Sequence, residues 1–373
     1  MENPLLELQE YENLQEALKK AKGPVQATGT LDSQKVHLMY WLGKDGGFPW
    51  KLVVTYDDQR AREIYDDFRS FTENVWLYPA KDLLFYSADI HGNLMTRQRI
   101  AVWRHLMEEK EGVVVTTLDG LMDHLLPLVF LKQQAVTVEN GQIMDLDEWK
   151  ERLTALGYER TAQVDGMGQF SIRGGIVDIF PLTEEVPVRI ELWDDEVDSI
   201  RSFDPESQRS VEQLEKITIY PSAETILTKK QLEAGIERLE KEEKEYEAAL
   251  RAKHQIEEAS RIRGIIKELT EGIRQGWKRD GLDAYIRYFC PETVSFLDYF
   301  PAGDTLICLD EPARLKEKGE TVEQEFRESM IHRLEKGYLL PGQTELLYAG
   351  TQVLAKLQSS YTCLLYTSDA ADD

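Results

Sequence analysis

The stretch Gln169–Ser210 reads QFSIRGGIVDIFPLTEEVPVRIELWDDEVDSIRSFDPESQRS and alternates at the period of β-structure. Phe170 and Ile172, then Ile176, Ile179 and Phe180, place apolar positions on either side of Gly174-Gly175, a pair that marks a tight turn or bulge. Pro181 and Pro187 bound the next connection. Beyond it, Val188, Ile190 and Leu192 fall on one face of a period-two strand, and Arg189, Glu191 and Trp193 fall on the other. A small antiparallel sheet is expected, carrying Arg173, Arg189, Glu191 and Trp193 on faces that need not be buried. Arginine, acid and aromatic side by side is the composition of a protein-binding hot spot. An ordinary solvated sheet face has the same pattern, and pattern alone leaves both readings open.

Upstream, strands alternate with helices. An amphipathic helix is expected over residues 5–22, with Leu6, Tyr11, Leu14 and Leu18 on one stripe. A short strand VQATG follows, then a helix from Asp32, taken as its N-cap, to about Leu42. WKLVVTY (Trp50–Tyr56) reads as a buried strand, and Asp57 opens a helix to about Phe71. Val75–Tyr78 and VVVTT after Gly112 are further strands, separated by a helix from Asn93 to about Lys110. Such alternation implies a parallel α/β sheet. Downstream of the stretch, residues 228–275 are helical and rich in Glu, Lys and Ala, as one long helix or a pair. Gly235 and Gly264 interrupt the apolar repeat, which favours a solvated surface over a coiled coil. The aromatic-rich residues 276–300 are expected to pack as core against the first sheet, and Thr305–Leu309 to rejoin it as a strand.

The chain has 373 residues, enough for two or three domains, with 44 basic and 68 acidic residues and a net charge of −24. That balance repels a phosphate backbone, so weak binding to DNA is expected. No apolar run approaches the roughly 18 residues of a membrane span, and MENPLLELQEYENL lacks the features of a secretory signal. Cys290, Cys308 and Cys363 are scattered, which suggests a reducing cytoplasm without a disulfide or zinc framework. The six histidines show no ligand spacing, and no catalytic constellation is found. Reverse translation of the end, CLLYTSDAADD (residues 363–373), matches a common transposase-based sequencing adapter. It is expected to be read-through, to be set aside in reasoning about the fold.

The stretch FSIRGGIVDIFP…VRIELWDDEVDSIRSFDPESQRS resembles the UvrB interaction domain. Two bacterial repair families share that module, the excision-repair helicase UvrB and the transcription-repair coupling factors. Over residues 1 to about 345 the chain is similar to the N-terminal, UvrB-like part of the latter. The resemblance implies docking on UvrA, the damage-recognising ATPase. By position it carries Arg173, Arg189 and Trp193 onto UvrA contacts of the coupling factor, and Glu191 onto an acidic contact known from UvrB. Trp193 stands where phenylalanine is usual. The fold implied is α/β: a degenerate, discontinuous, helicase-like parallel domain (residues 1–130 and 223–345) with a small inserted α+β interaction domain (residues 131–222). Residues 346–362 would begin a linker or next domain.

A working nucleotide site in such a domain needs GxxxxGK[ST] after the first strand, because backbone amides cradle the phosphates and the lysine neutralises them. Here ATGTLDSQKVHL keeps Thr28, Gly29 and Thr30, but Leu31, Asp32 and Ser33 stand where Gly-Lys-Ser/Thr should follow, and Lys35 is out of register. Asp310-Glu311, closing DTLICLDE, resembles the acidic Mg²⁺ motif of helicases. The set Thr28, Gly29, Thr30, Lys35, Asp310 and Glu311 is therefore expected to be an inactive relic, with no cofactor bound by this chain. The resemblance implies a full-length parent that is an ATP-dependent DNA translocase in the cytoplasm. It would use ATP and Mg²⁺ to displace stalled RNA polymerase and engage duplex DNA through parts absent here. A UvrB-like helicase subunit is the alternative; the lost phosphate loop and the stretch YPAKDLLFYSADIHGNLMTRQRIAVW, without a tyrosine-rich hairpin, count against it. An adaptor that never had a motor is a further one.

Overall fold

Three apolar runs set the architecture. In the computed structural model, which describes residues 3–20, 23–81, 92–276 and 281–367, every residue of Trp50–Thr55 (β2), Gly112–Thr117 (β4) and Thr305–Asp310 (β13) is buried. Strands buried on both faces read as continuous hydrophobic segments and belong to parallel sheets covered by helices. Val25–Ala27 (β1), Val75–Tyr78 (β3) and Thr362–Leu365 (β14) complete a six-stranded sheet in the order β1-β14-β13-β2-β4-β3, with every neighbouring pair parallel. Helices Asp32–Asp45 and Asp58–Phe68 cover one face through Val36, Met39, Leu42, Ile64 and Phe68. The other face packs on helix Gly92–Glu108 and on Phe296, Tyr299 and Phe300, with the Tyr78 and Phe296 rings stacked at 3.5 Å. The expected aromatic core is thus present; Trp277 lies outside the described residues.

The domain is discontinuous, as expected, because β13 enters between β2 and β14 after some 190 intervening residues. Two expectations are corrected. Residues 346–362 do not begin a linker: helix Gly350–Leu357 and β14 belong to this first domain. Nor can the stretch from Cys363 be left out of the fold, since Cys363, Leu364 and Leu365 are buried between β1 and β13. TCLL is a short apolar run, and it fills an interior sheet position whatever its coding origin. At the other end a 3-10 turn (Pro4–Glu7) precedes the helix, which spans Gln9–Lys20; Tyr11 and Leu18 are buried but Leu6 is exposed. Leu31, not Asp32, occupies the N-cap position of the second helix.

Between β4 and β13 the chain builds a second sheet. Glu159–Arg160 (β6), Gln169–Arg173 (β7), Ile176–Ile179 (β8), Val188–Trp193 (β9), Glu196–Phe203 (β10) and Ser210–Leu214 (β11) lie in sequential order, antiparallel except for the β6–β7 pair. Its inner face (Phe170, Val177, Ile179, Val188, Ile190, Val197, Ile200) packs on helix Leu146–Ala155 through Trp149 and Leu153. Val136–Glu139 (β5) and Lys216–Ile219 (β12) pair antiparallel and close the insertion near its ends. The following helical segment is a pair, Lys229–Ala252 and Ile256–Gln275, sealed by Ile236, Leu239, Leu250, Ile262, Ile266 and Leu269. Gly235 is not a defect in the first of these: a Cβ there would fall 2.0 Å from the Phe289 ring, so the glycine admits the aromatic.

Candidate functional site

The outer face of the second sheet is built by register. Gly174-Gly175, with Gly174 at φ +59°, closes the two-residue β7–β8 turn. The pairings then align Ser171, Asp178, Arg189 and Arg201 in one row and Arg173, Ile176, Glu191 and Ser199 in the next. Directly opposed residues share a face, so the four predicted residues come together there, with Trp193 one step along β9. Trp193 is 81% exposed, half of the Arg173 side chain is exposed, and Arg189 is largely covered, at 17%.

Asp178, fully buried, was not anticipated, yet it organises the face. Its Oδ1 accepts from Arg189 Nε at 2.7 Å, and its Oδ2 accepts from Arg189 Nη2 and Arg173 Nη2, each at 2.9 Å. The hydrogen bonds to Asp178 hold the Arg189 guanidinium above its ordinary pKa against the opposing effect of burial. Arg189 also lies over the Phe203 ring at 4.6 Å and donates to Gln208. Glu191 accepts from Ser199 Oγ at 2.9 Å and pairs with Arg201 at 3.3 Å. The result is a preformed plate of charge with a free indole at its end. A lone acid inside GIVDIF was the sequence signal for Asp178, and it has no spacing to distinguish it.

The residues expected to be the relic of a nucleotide site lie at the carboxyl ends of β1, β2 and β13. Only Thr28–Leu31 separate β1 from the next helix, too few for the backbone nest of a phosphate loop. Gly29 keeps a positive φ of +76°, Thr28 is exposed, and Thr30 donates its hydroxyl to the Tyr366 carbonyl at 2.9 Å. Lys35 reaches the acidic motif from one turn into the helix. Its ammonium, wholly buried, lies 2.6 Å from both Asp310 Oδ1 and Glu311 Oε1. Asp310 Oδ2 accepts from Thr55 Oγ1 at 3.0 Å and from Arg60 Nε at 3.1 Å, and Arg60 extends to Asp32 and Glu63. Burial would lower the Lys35 pKa, but the bonds to Asp310 and Glu311 outweigh it and raise the value. Every oxygen with which Asp310 would hold Mg²⁺ already has a cationic or hydroxyl donor, so these residues do not fit a nucleotide with its metal. Arg60 and Thr55 were not anticipated, since nothing in the linear sequence ties them to Asp310.

Among the described residues no group of His, Cys, Asp and Glu is placed to hold a metal, and no helix is long and apolar enough to cross a membrane. The three cysteines are free and buried. Residues 82–91, within the stretch weighed against a UvrB-like reading, lie outside the described residues.

The sheet whose buried acid grips two arginines, set into a helicase-like α/β domain, lies within residues 136–224, which match the UvrB interaction domain. The chain is a relative of the transcription-repair coupling factors. It is 34% identical to that of Bacillus subtilis strain 168 over 291 residues, 78% of this chain and 24% of the relative. Against the factor of Staphylococcus haemolyticus it is 30% identical over 323 residues (85% and 27%), and against that of Staphylococcus aureus strain MRSA252 31% over 312 residues (81% and 26%). The chain thus spans about a quarter of the length of the curated relatives it matches.

Proposed function

We propose that this chain is the UvrA-recruiting region of a transcription-repair coupling factor, acting in transcription-coupled nucleotide excision repair. Arg173, Arg189, Glu191 and Trp193 form its docking surface. The observation that carries this reading is the almost fully exposed Trp193, in line with Arg189 and Glu191 on one strand of a UvrB interaction domain. A large, rigid aromatic beside preorganised guanidiniums is what interface centres favour, because little rotamer freedom remains to be lost on binding. The chain itself performs no ATP chemistry. In the full-length protein, ATP and Mg²⁺ serve a DNA-translocating motor elsewhere, and RNA polymerase and duplex DNA are engaged by other parts.

The test is a calorimetric titration of UvrA with wild type, Arg173→Ala and Trp193→Ala. Each substitution is expected to weaken binding on the order of thirtyfold, about 2 kcal/mol. Undiminished binding by both folded variants overturns the assignment.

A further inference from the structure

The docking face extends beyond the strands that define it. At the end of β9 the chain reverses through Asp194-Asp195, with Asp194 at φ +60°, and Trp193 pairs directly with Glu196. On the far side of Glu196 the segment Gly141–Met144 lies antiparallel to β10. Gly141 N donates to Val197 O at 2.8 Å, Met144 N to Asp195 O at 2.8 Å, and Val197 N to Gln142 O at 2.9 Å. Ile143 is the bridge partner of Glu196. Trp193, Glu196 and Ile143 therefore form one row across the sheet, and direct opposition puts all three side chains on the same face. Trp193 and Ile143 stand about 10 Å apart across two strand spacings. Ile143 is 62% exposed. A β-branched aliphatic side chain, on a segment pinned by three backbone hydrogen bonds and in the same row as an exposed indole, leaves most of its surface open to water.

Resting on the docking reading above, we infer that Ile143 is a second apolar anchor of the same interface, and that the partner meets this end with an apolar socket rimmed by lysine or arginine. Charge complementarity selects that partner chemistry. Glu196 lies between the two apolar side chains, and Asp194 and Asp195 form the turn that joins Trp193 to it; all three are exposed, and none has an ion-pair partner among the described residues within 4.0 Å. The arginines sit at the other end of the face on Asp178 and Glu191. Docking thus has two halves of opposite sign, which fixes orientation as well as affinity.

The experiment compares UvrA binding by wild type, Ile143→Ser, Ile143→Thr, Trp193→Ala and Arg173→Ala. Val211→Ser is the control, an exposed apolar residue on edge strand β11. Ile143→Ser is expected to weaken binding five- to tenfold and Val211→Ser to leave it unchanged. Ile143→Thr retains the β-branch and is the variant read if the serine disturbs folding by circular dichroism. The double substitution Asp194→Asn, Asp195→Asn keeps residues that tolerate this turn and should flatten the salt dependence of binding. Full affinity of both folded Ile143 variants with weakened Trp193→Ala overturns the inference and leaves the docking reading standing. Full affinity of Trp193→Ala and Arg173→Ala overturns both.

Discussion

The ammonium of Lys35 lies 2.6 Å from the carboxylate of Asp310, a residue 275 positions away in the chain. In a working nucleotide site the lysine of the first loop and the acid of the later strand meet through phosphate and metal. Here they meet directly. Removing one member of a buried pair strands the other, at a cost of about 3–5 kcal/mol. Lys35→Met should fall toward the low end, about 3 kcal/mol, because Arg60 and Thr55 still bind Asp310. Urea unfolding midpoints measure it. Millimolar ATP with Mg²⁺ should leave the wild-type midpoint unmoved; a ligand held a hundredfold above its Kd would add about 2.7 kcal/mol, so a clear shift would falsify the reading of this site as inactive.

The same cluster sets a pH dependence. Glu311 is buried enough to raise its pKa, but hydrogen bonds from Lys35 and Thr367 outweigh burial and bring it below the ordinary 4.5. A depressed carboxylate stabilises the fold above its unfolded pKa, and the contribution is lost as pH falls through the folded value. Lys35, raised above 10.5, contributes below that value and loses its contribution only in strong alkali. The stability gap between wild type and Glu311→Gln should therefore be flat through neutral pH and shrink below about pH 4.5. A gap that instead changes between pH 6 and about 8 would point to another group.

How much of this was readable in advance follows from how far each signal reaches along the chain. The runs WKLVVTY, VVVTT and TLICL announce buried strands because burial on both faces leaves no alternation. Arg189, Glu191 and Trp193 share a face by arithmetic, and the structure keeps them there. Asp178 was invisible because its meaning lies in register with two other strands. The sequence groups Lys35 with Asp310 and Glu311 in one expected relic but does not show their direct contact, which depends on the parallel sheet that sets the ends of β1 and β13 on either side of β14. Gly235 breaks the apolar repeat in the sequence, but its close partner Phe289 is some fifty residues away in the chain. The place of Thr362–Leu365 is decided by a gap between two strands, which no local pattern describes.

The two arginines of the docking face should separate when truncated. A face exposed throughout would let the fold survive either change. Arg189, however, is mostly covered and holds Asp178 through two bonds, whereas Arg173 holds it through one and is half exposed. Charge-assisted hydrogen bonds to a buried group contribute about 1.5–3 kcal/mol. Arg189→Ala should lose stability in that range, and Arg173→Ala less than about 0.5 kcal/mol. Thermal denaturation beside the UvrA titration checks this: equal stability losses would show that Arg173, too, is structural.

A buried arginine ties the interaction module to the α/β domain. Arg99, on helix Gly92–Glu108, is fully buried. Its Nε lies 3.0 Å from Glu224, the residue that ends the matched module, and its Nη2 lies 2.8 Å from Asp123. Nη1 donates to the Pro79 carbonyl at 2.9 Å, and the guanidinium covers the Tyr78 ring at 4.3 Å. Lys81 binds Glu224 from the other side and bridges to Asp283. Burial already pushes the Asp123 carboxyl up, with Arg99 holding it back. Arg99→Met preserves the volume but leaves two buried carboxylates short of a cation, at a cost of about 3–5 kcal/mol near neutral pH. Lysine at this position should rescue little, because one ammonium cannot reproduce the planar fork. The sign of the pH effect then reverses relative to Glu311. With Arg99 gone, Asp123 in the folded state binds a proton that the unfolded chain does not. Stability of Arg99→Met should therefore rise relative to wild type as pH falls from about 7 toward about 5. Urea midpoints of both proteins across that range decide the matter: a deficit that is constant, or that grows on acidification, would mean the carboxylates find water when the arginine leaves and that the module is held by packing instead.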